Sequence, residues 1–349
     1  VHHLFDNGQA GKIDLDETGD HVPDARLTYT GLEPVTQTGN LTNLTLTLSS
    51  VNDAAVLEDN RDGSLNPTPT DGQSQWRTTS GTAETYTFSN PSGTLTINLG
   101  DGDDQLTVAA DFSSGPTAGQ FDASLTVNGG EGSDTVNLNA DLALASGNHL
   151  DVDLTDGAAA GDVDSISVGA AANLILSGAG TATLKASRTV ALASGSSVEV
   201  VDGNLTVEAN QQAAPTAGNF VGVDVGGLLH SSGTGVVTVK GKGGDDSSGS
   251  SANAGVNVTD SGAVSGTNAA TVTVTGTGGA GDSDAVVAGG PISAAGGDIL
   301  IAGVKNGSGL GADVVVDAPV TASAGGDIEI RSDRHVTGGA GGDISSDGA

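Results

Sequence analysis

The sequence lacks cysteine and methionine, and it is poor in aromatic and basic residues. Its 349 residues include one Trp, two Tyr and five Phe, with 11 basic residues against 43 acidic ones. The absence of Cys excludes a disulfide framework and a Cys-His catalytic set, and it is compatible with export from a bacterium. A formal net charge of −32 repels nucleic acid and anionic membranes, so we expect neither as a partner.

Long hydrophobic runs are missing as well. No apolar run approaches the roughly 20 residues of a membrane helix, and no window shows the apolar stripe of an amphipathic helix. The chain begins Val1-His2-His3, with neither an initiator Met nor a signal peptide. We therefore expect a mature or excised piece of a longer protein.

Glycine and short β-type runs are what the sequence has in abundance. Gly accounts for 56 residues without a three-residue period, which excludes collagen. Apolar residues come in short runs such as Leu95-Thr96-Ile97 and Val272-Thr273-Val274, bounded by Gly, Asn, Asp and Ser. These are strand and turn signals, and they predict an all-β chain.

The strongest pattern is a 30-residue period in an acidic, glycine-rich turn. The turn at Gly129 to Val136 has related turns at Gly100 to Leu106 and at Gly161 to Ile166. Three aspartates are therefore equally spaced along the chain: Asp104, Asp134 and Asp164. A fixed period of this size is typical of a solenoid, in which each repeat forms one coil.

Each repeat contains three short apolar runs, which predicts three strands per coil. The first runs are Leu95 to Ile97, Leu125 to Val127 and Val152 to Leu154; the second are Leu106 to Val108, Val136 to Leu138 and Ile166 to Val168; Phe112, Leu142 and Leu174 mark the third. We predict a parallel β-solenoid (a β-helix), three-sided, with about 30 residues per coil and coils stacked about 4.8 Å apart. Inward apolar ladders and outward Thr, Ser and Asn ladders follow from this stacking.

Composition divides the chain into three sections. Residues 1–80 contain Trp76 and a leucine alternation from Leu41 to Leu48, and they predict a small N-terminal β module or cap, with a loop or linker at Asp59 to Gly72. Residues 81–180 form the solenoid with acidic turns, and residues 181–349 continue it with glycine- and serine-rich corner insertions. Two strand series mark the continuation: Leu205, Val237, Val272, Ile299 and Ile328, and then Leu229, Val264, Ile292 and Val320.

The acidic turns have two interpretations. Gly129 to Asn137 matches the pattern Gly-Gly-x-Gly-x-Asp-x-apolar-x, which binds calcium in repeats-in-toxin proteins, although that family repeats it in tandem. Stacked aspartates repel one another by about 1 kcal/mol each in water, and either a bound cation or exposure to solvent relieves this repulsion. The predicted calcium ligands are Asp101, Asp103, Asp104, Glu131, Asp134, Asp162 and Asp164; the alternative is a solvated acidic corner.

No catalytic set is evident. The sequence has no phosphate-binding loop motif, and the histidines show no metal-ligand spacing. The one basic cluster, Arg331, Arg334 and His335, predicts a solvated corner. A polysaccharide-active β-helix enzyme is a remote alternative, since such enzymes need convergent carboxylates or a base, and no aromatic residue follows Phe220.

Three stretches together resemble the very long, repeat-rich surface proteins of planctomycetes and other aquatic bacteria: Leu27 to Pro34, Leu205 to Gln212 and Gly235 to Gly244. More loosely, the chain is similar to filamentous-haemagglutinin-type adhesins. The resemblance implies export, β-helical repeats and an adhesive or structural role, and it implies no catalytic residues.

We therefore expect a non-catalytic, extracellular structural protein of a bacterial surface fibre, filament or matrix. Gly341 to Ala349 starts another coil without a capping element, so the expected partners are other copies end to end or the rest of a longer chain. The alternative is a calcium-stiffened adhesin stalk that binds a glycan or a surface.

Overall fold

The computed structural model describes residues 1–7, 10–15, 25–30, 35–60, 72–79, 85–109, 112, 120–155, 162–245, 253–279, 283–306 and 311–347. Within these ranges all regular structure is β, and no helix has the length and hydrophobicity of a membrane span. Parts of five predicted features lie outside the described residues: residues 31–34 of the first surface-protein-like stretch, residues 61–71 of the predicted loop, Gly161 of the third acidic turn, residues 246–250 of a corner insertion and residues 348–349 of the last predicted coil.

The strands are short and numerous, as the short apolar runs predict. The first eight are β1 (His2–Asn7), β2 (Ala10–Leu15), β3 (Ala25–Thr30), β4 (Val35–Gln37), β5 (Asn43–Thr47), β6 (Ala54–Asp59), β7 (Gln73–Thr78) and β8 (Tyr86–Ser89). The next twelve are β9 (Thr94–Asp101), β10 (Gln105–Val108), β11 (Ser124–Glu131), β12 (Thr135–Leu138), β13 (Leu142–Leu144), β14 (Leu150–Asp153), β15 (Ser165–Val168), β16 (Asn173–Leu176), β17 (Ala182–Ala186), β18 (Thr189–Leu192), β19 (Ser197–Val200) and β20 (Leu205–Ala209).

The remaining strands repeat the same three-strand order. They are β21 (Val223–Val225), β22 (Leu228–Ser231), β23 (Val237–Lys242), β24 (Val256–Val258), β25 (Ala263–Gly266), β26 (Val272–Gly278), β27 (Val286–Ala288), β28 (Ile292–Ala295), β29 (Ile299–Lys305), β30 (Val314–Val316), β31 (Val320–Ser323), β32 (Ile328–Ser332), β33 (Val336–Gly338) and β34 (Ile344–Ser346).

These strands build three sheets, one for each side of the coil. Face A has the order β3-β2-β1-β5-β9-β11-β14-β17-β20-β23-β26-β29-β32, face B has β33-β30-β27-β24-β21-β18-β15-β12-β10-β6-β7-β8-β4, and face C has β13-β16-β19-β22-β25-β28-β31-β34. From β9 onward, each strand pairs in parallel with its counterparts in neighbouring coils. The prediction of an all-β, three-sided parallel solenoid is confirmed.

The pairing register confirms the 30-residue period and corrects it at one strand. Leu106 pairs with Val136, and Val136 pairs with Ile166. Leu125 pairs with Leu150, so the third leading strand begins at Leu150 and the prediction of Val152 was wrong by two residues. A shift of two keeps every side chain on its face, and therefore the apolar alternation cannot distinguish the two registers.

Coil length varies more than a strict period allows. The paired residues Asn173 and Ser197 are only 24 positions apart, whereas the paired residues His230 and Ser265 are 35 apart. The strand register continues through both coils because the difference is absorbed at the corners. Both strand series predicted for residues 181–349 pair in register along their whole length.

Alternating side chains separate a dry interior from a polar exterior. Leu125 and Val127 are fully buried, and the apolar cluster to which they belong runs without a break from Leu44 to Ala322. The outward positions form polar ladders. On face A, Asn128 donates to Asn98 (2.8 Å) and Asn98 donates to Thr47 (3.2 Å). Each coil thus buries its apolar residues against its neighbours, as in other solenoids.

Residues 1–80 contribute strands to the same sheets. β1 pairs in parallel with β5, while β2 and β3 extend face A as antiparallel strands. On face B, β7 and β8 form an antiparallel insertion after β6, and Trp76, Tyr86 and Phe88 are completely buried in the common core. The domain boundaries proposed from composition stay predictions.

Candidate functional site

The acidic turns stack at the corner between faces A and B, and their glycines allow this stacking. Gly130 pairs with Gly100, and a Cβ on Gly130 would lie 1.9 Å from the Gly100 carbonyl oxygen. Gly130 also has φ of +142°, a conformation that side chains rarely adopt. A Cβ on Gly132 would lie 2.0 Å from the Gly102 oxygen. Backbone contact between coils is therefore sufficient to explain the repeated glycines.

Two residues after Gly102 and Gly132, the chain reaches a buried column of four aspartates, here called the aspartate column: Asp53, Asp104, Asp134 and Asp164. None is more than 3% exposed. The Asp53 N–H donates to Asp104 Oδ1 (2.7 Å), the Asp104 N–H to Asp134 Oδ1 (3.0 Å), and the Asp134 N–H to Asp164 Oδ1 (2.8 Å). In a flat sheet, such a backbone N–H would donate to a carbonyl of the neighbouring strand. At this corner the carboxyl of the next coil accepts it instead.

Serines complete the column at both ends. At the first end, Asp53 Oδ2 accepts hydrogen bonds from the Ser49 N–H (3.0 Å) and from its hydroxyl (2.7 Å). At the other end, the Asp164 N–H donates to Ser187 Oγ (2.9 Å), and that hydroxyl donates to the Asp162 carbonyl (3.2 Å). The next residue, Arg188, donates its backbone N–H to the Asp164 carbonyl (3.1 Å), so the acidic column ends at this coil.

A second column lies immediately outside and runs in the opposite direction. The Asp103 N–H donates to Asn52 Oδ1 (2.9 Å), and the Ser133 N–H donates to Asp103 Oδ1 (2.9 Å). The Val163 N–H then donates to Ser133 Oγ (3.1 Å). In this outer column, the side chains of Asp103 and Ser133 accept a hydrogen bond from a backbone N–H of the following coil. In the aspartate column, the carboxyls of Asp104, Asp134 and Asp164 accept one from a backbone N–H of the preceding coil.

The seven predicted calcium ligands divide between these two environments. Asp104, Asp134 and Asp164 are buried, whereas Asp101, Asp103 and Glu131 are exposed; Asp162 is half-buried, and its Oδ2 accepts the Gly132 N–H (3.4 Å). Among the described residues, no group of three or more acidic or histidine side chains could hold a metal ion. We therefore assign none of the seven as a metal ligand, and calcium binding stays a prediction.

The alternative of a solvated acidic corner is wrong for the three inner aspartates, because the stacked turns cover them. Sequence reasoning also missed Ser49, Asn52, Asp53 and Ser187. Asp53 lies 51 residues before Asp104, because the β7–β8 insertion lengthens that coil. The signal that could have located it is the local pair Asn52-Asp53, which resembles Asp103-Asp104 in placing a polar residue before the inward aspartate.

Burial changes the acid–base behaviour of the column. Burial and neighbouring carboxylates raise the pKa of Asp104 to about 7 and that of Asp134 to about 7, and the backbone N–H that each carboxyl accepts only partly offsets this. Oδ2 of Asp104 and Oδ2 of Asp134 are buried and accept no hydrogen bond from any described residue. These two carboxyls are therefore poorly suited to carry a negative charge.

The remaining candidate residues lie on the surface. Arg331, Arg334 and His335 are exposed, as predicted, and Arg331 forms a two-point ion pair with Glu329 (2.7 and 2.9 Å). A shallow groove of about 280 Å³ on face A is lined by Thr155, Lys185, Ala186, Glu208, Gln211 and Gln212. Lys185 pairs with Asp153 at 3.3 Å, and the described residues that line the groove include no aromatic ring.

No family model, curated protein or solved structure matches this chain. The functional proposal therefore depends on the fold and on the sequence.

Proposed function

We propose that this chain is an extracellular structural protein, part of a bacterial surface fibre, filament or matrix, and that it acts as a rod without catalysing a reaction. The observation that carries the proposal is the unbroken stack of coils. One apolar cluster runs from Leu44 to Ala322, faces A and B extend along the same stretch, and face C joins them from β13 onward. Within this stack each coil is held by its neighbours. Such an arrangement supplies length and stiffness.

The dimensions support a spacer. The parallel part of face A runs from β1 to β32, and at about 4.8 Å per strand it spans about 50 Å. The exterior is polar and strongly acidic, which favours solubility outside the cell and disfavours contact with anionic surfaces. The absence of Cys and the resemblance to giant surface proteins support an exported location.

The last coil supports extension by stacking. β32, β33 and β34 are the final strands of the three faces, and the core-side residues Val336 and Ile344 are 48% and 52% exposed. A further coil would bury these side chains and pair the strand edges, whether it came from the same chain or from a second copy. We propose that copies stack end to end in this way.

The test is electron microscopy and sedimentation of the purified chain over a range of protein and salt concentrations. We expect filaments of one solenoid's width, favoured by salt because ions screen the repulsion between copies of charge −32. Ile344→Lys should abolish them, whereas Ser345→Lys, on the same strand but facing outward, should not. Single rods of the wild-type chain under every condition would refute end-to-end stacking.

A further inference from the structure

The aspartate column places Asp104 and Asp134 in the interior, and the charges that act on these two carboxyls are those of other carboxylates. Asp104 is acted on by the charges of Asp53, Asp103 and Asp134. Asp134 is acted on by Asp103, Asp162 and Asp164. Every one of these neighbours is a carboxylate. The basic residue Arg188 lies one coil beyond Asp164, and its backbone N–H donates to the Asp164 carbonyl (3.1 Å). Ionised carboxylates stacked at coil spacing inside a protein are strongly destabilising, so something must neutralise them.

We propose that Asp104 and Asp134, the two middle members of the aspartate column, bind protons in place of a metal ion, so that the solenoid is most stable in mild acid and loosens at this corner as the solution becomes alkaline. This inference is independent of filament formation, because it concerns contacts within one chain.

The hydrogen bonds support neutral carboxyls. An un-ionised carboxyl keeps one oxygen as an acceptor and turns the other into a donor. In the column, Oδ1 of Asp104 and of Asp134 accepts a backbone N–H, so the acceptor function is already used. The proton then belongs on Oδ2, the buried atom that has no partner among the described residues. Neutralisation there removes the cost of burying a charge and leaves the backbone bonds intact.

The direction of the pH effect follows from linkage. The pKa of both Asp104 and Asp134 is about 7 in the folded chain, against about 3.9 for an aspartate in an unfolded chain. Between these values the folded state holds a proton that the unfolded state has lost. Stability is therefore greatest in acid and falls as the pH rises from about 4 to about 7. Each such carboxyl raises the unfolding equilibrium constant by up to tenfold per pH unit.

The experiment is urea unfolding of the full chain between about pH 4 and about pH 8 in the presence of EDTA, with two matched variants. Asp134→Asn keeps the shape and the acceptor oxygen but cannot ionise. The variant should fold, and its unfolding equilibrium constant should rise less steeply with pH than that of the wild type, by up to tenfold per pH unit. Asp101→Asn removes an exposed carboxyl from the same corner, and it should leave the dependence unchanged.

Three results of this unfolding experiment would overturn the proposal. One is wild-type stability that is flat or rising over this pH range, and another is an equal loss of pH dependence in both variants. The third is stabilisation by added Ca²⁺ that disappears in Asp134→Asn, because this would identify a cation site. If Asp134→Asn does not fold, Asp104→Asn replaces it. Infrared spectra of the wild-type chain near pH 6 should also show the carbonyl stretch of un-ionised carboxyls, and its absence would contradict the proposal.

Discussion

Gly130→Ala tests whether the acidic turns are held by direct backbone contact. The new Cβ would lie 1.9 Å from the Gly100 oxygen, far inside van der Waals distance, and the residue has φ of +142°. The conformation alone costs about 1–3 kcal/mol for a residue with a side chain, and overpacking typically adds about 1–3 kcal/mol. We expect a loss of about 4 kcal/mol in the free energy of unfolding.

Two other glycines separate these contributions. Gly147 has φ of +86°, and a Cβ at this position would have no atom within 4 Å. Gly147→Ala should therefore lower the free energy of unfolding by only about 1–2 kcal/mol, through its backbone conformation alone. Gly235 has no positive φ, yet its Cβ would lie 1.9 Å from the Gly203 oxygen, so Gly235→Ala measures the contact alone. Urea unfolding followed by circular dichroism gives all three values. If Gly130→Ala costs no more than Gly147→Ala, the coils are not in the close contact described.

Two further predictions concern the core and the end of the column. Leu125→Ala, at a fully buried position, should lower the free energy of unfolding by about 2–5 kcal/mol because it leaves a cavity. The outward Thr126→Ala should lower it by under about 1 kcal/mol in the same urea assay. Equal losses would contradict the assigned faces. Ser187→Ala removes the acceptor of the buried Asp164 N–H and should cost about 1–3 kcal/mol with faster exchange of that amide, and unchanged exchange would refute its role.

Much of the fold could be predicted from the sequence because the solenoid repeats its local chemistry. The spacing of Leu106, Val136 and Ile166 is visible along the chain and becomes a ladder of neighbours in the structure. The register of Leu150 could not be predicted in this way, because a two-residue slip preserves the alternation. Phe112 was expected to mark a third strand, but it lies outside the named strands and packs against Phe121 with ring centroids 5.2 Å apart.

The site was harder to predict than the fold. An aspartate after a glycine turn has the same letters whether it faces water, a cation or the interior, so the pattern alone could not place Asp134. Its environment is decided by the coil above and the coil below, through Asp104 and Asp164. Asp53 was hidden because the period is broken where β7 and β8 are inserted. The features that depend on neighbouring coils therefore become visible only when the coils are stacked.

The opposite directions of the two side-chain columns have a consequence for how such a rod can lengthen. The 30-residue unit that begins at Asp104 and ends before Asp134 takes part in both columns. Its backbone N–H groups donate to side chains of the neighbouring coils, and its own side chains accept N–H groups from those coils. A tandem duplication of this unit would let each new copy donate to an aspartate in the inner column and to a serine in the outer column, acceptors that the corner already uses. At Ser187 the inner acceptor changes from a carboxyl to a hydroxyl, so an acidic coil placed there would meet a different partner. The stretch from Asp104 to Asp164 is therefore the part of the corner in which a further coil finds matching acceptors.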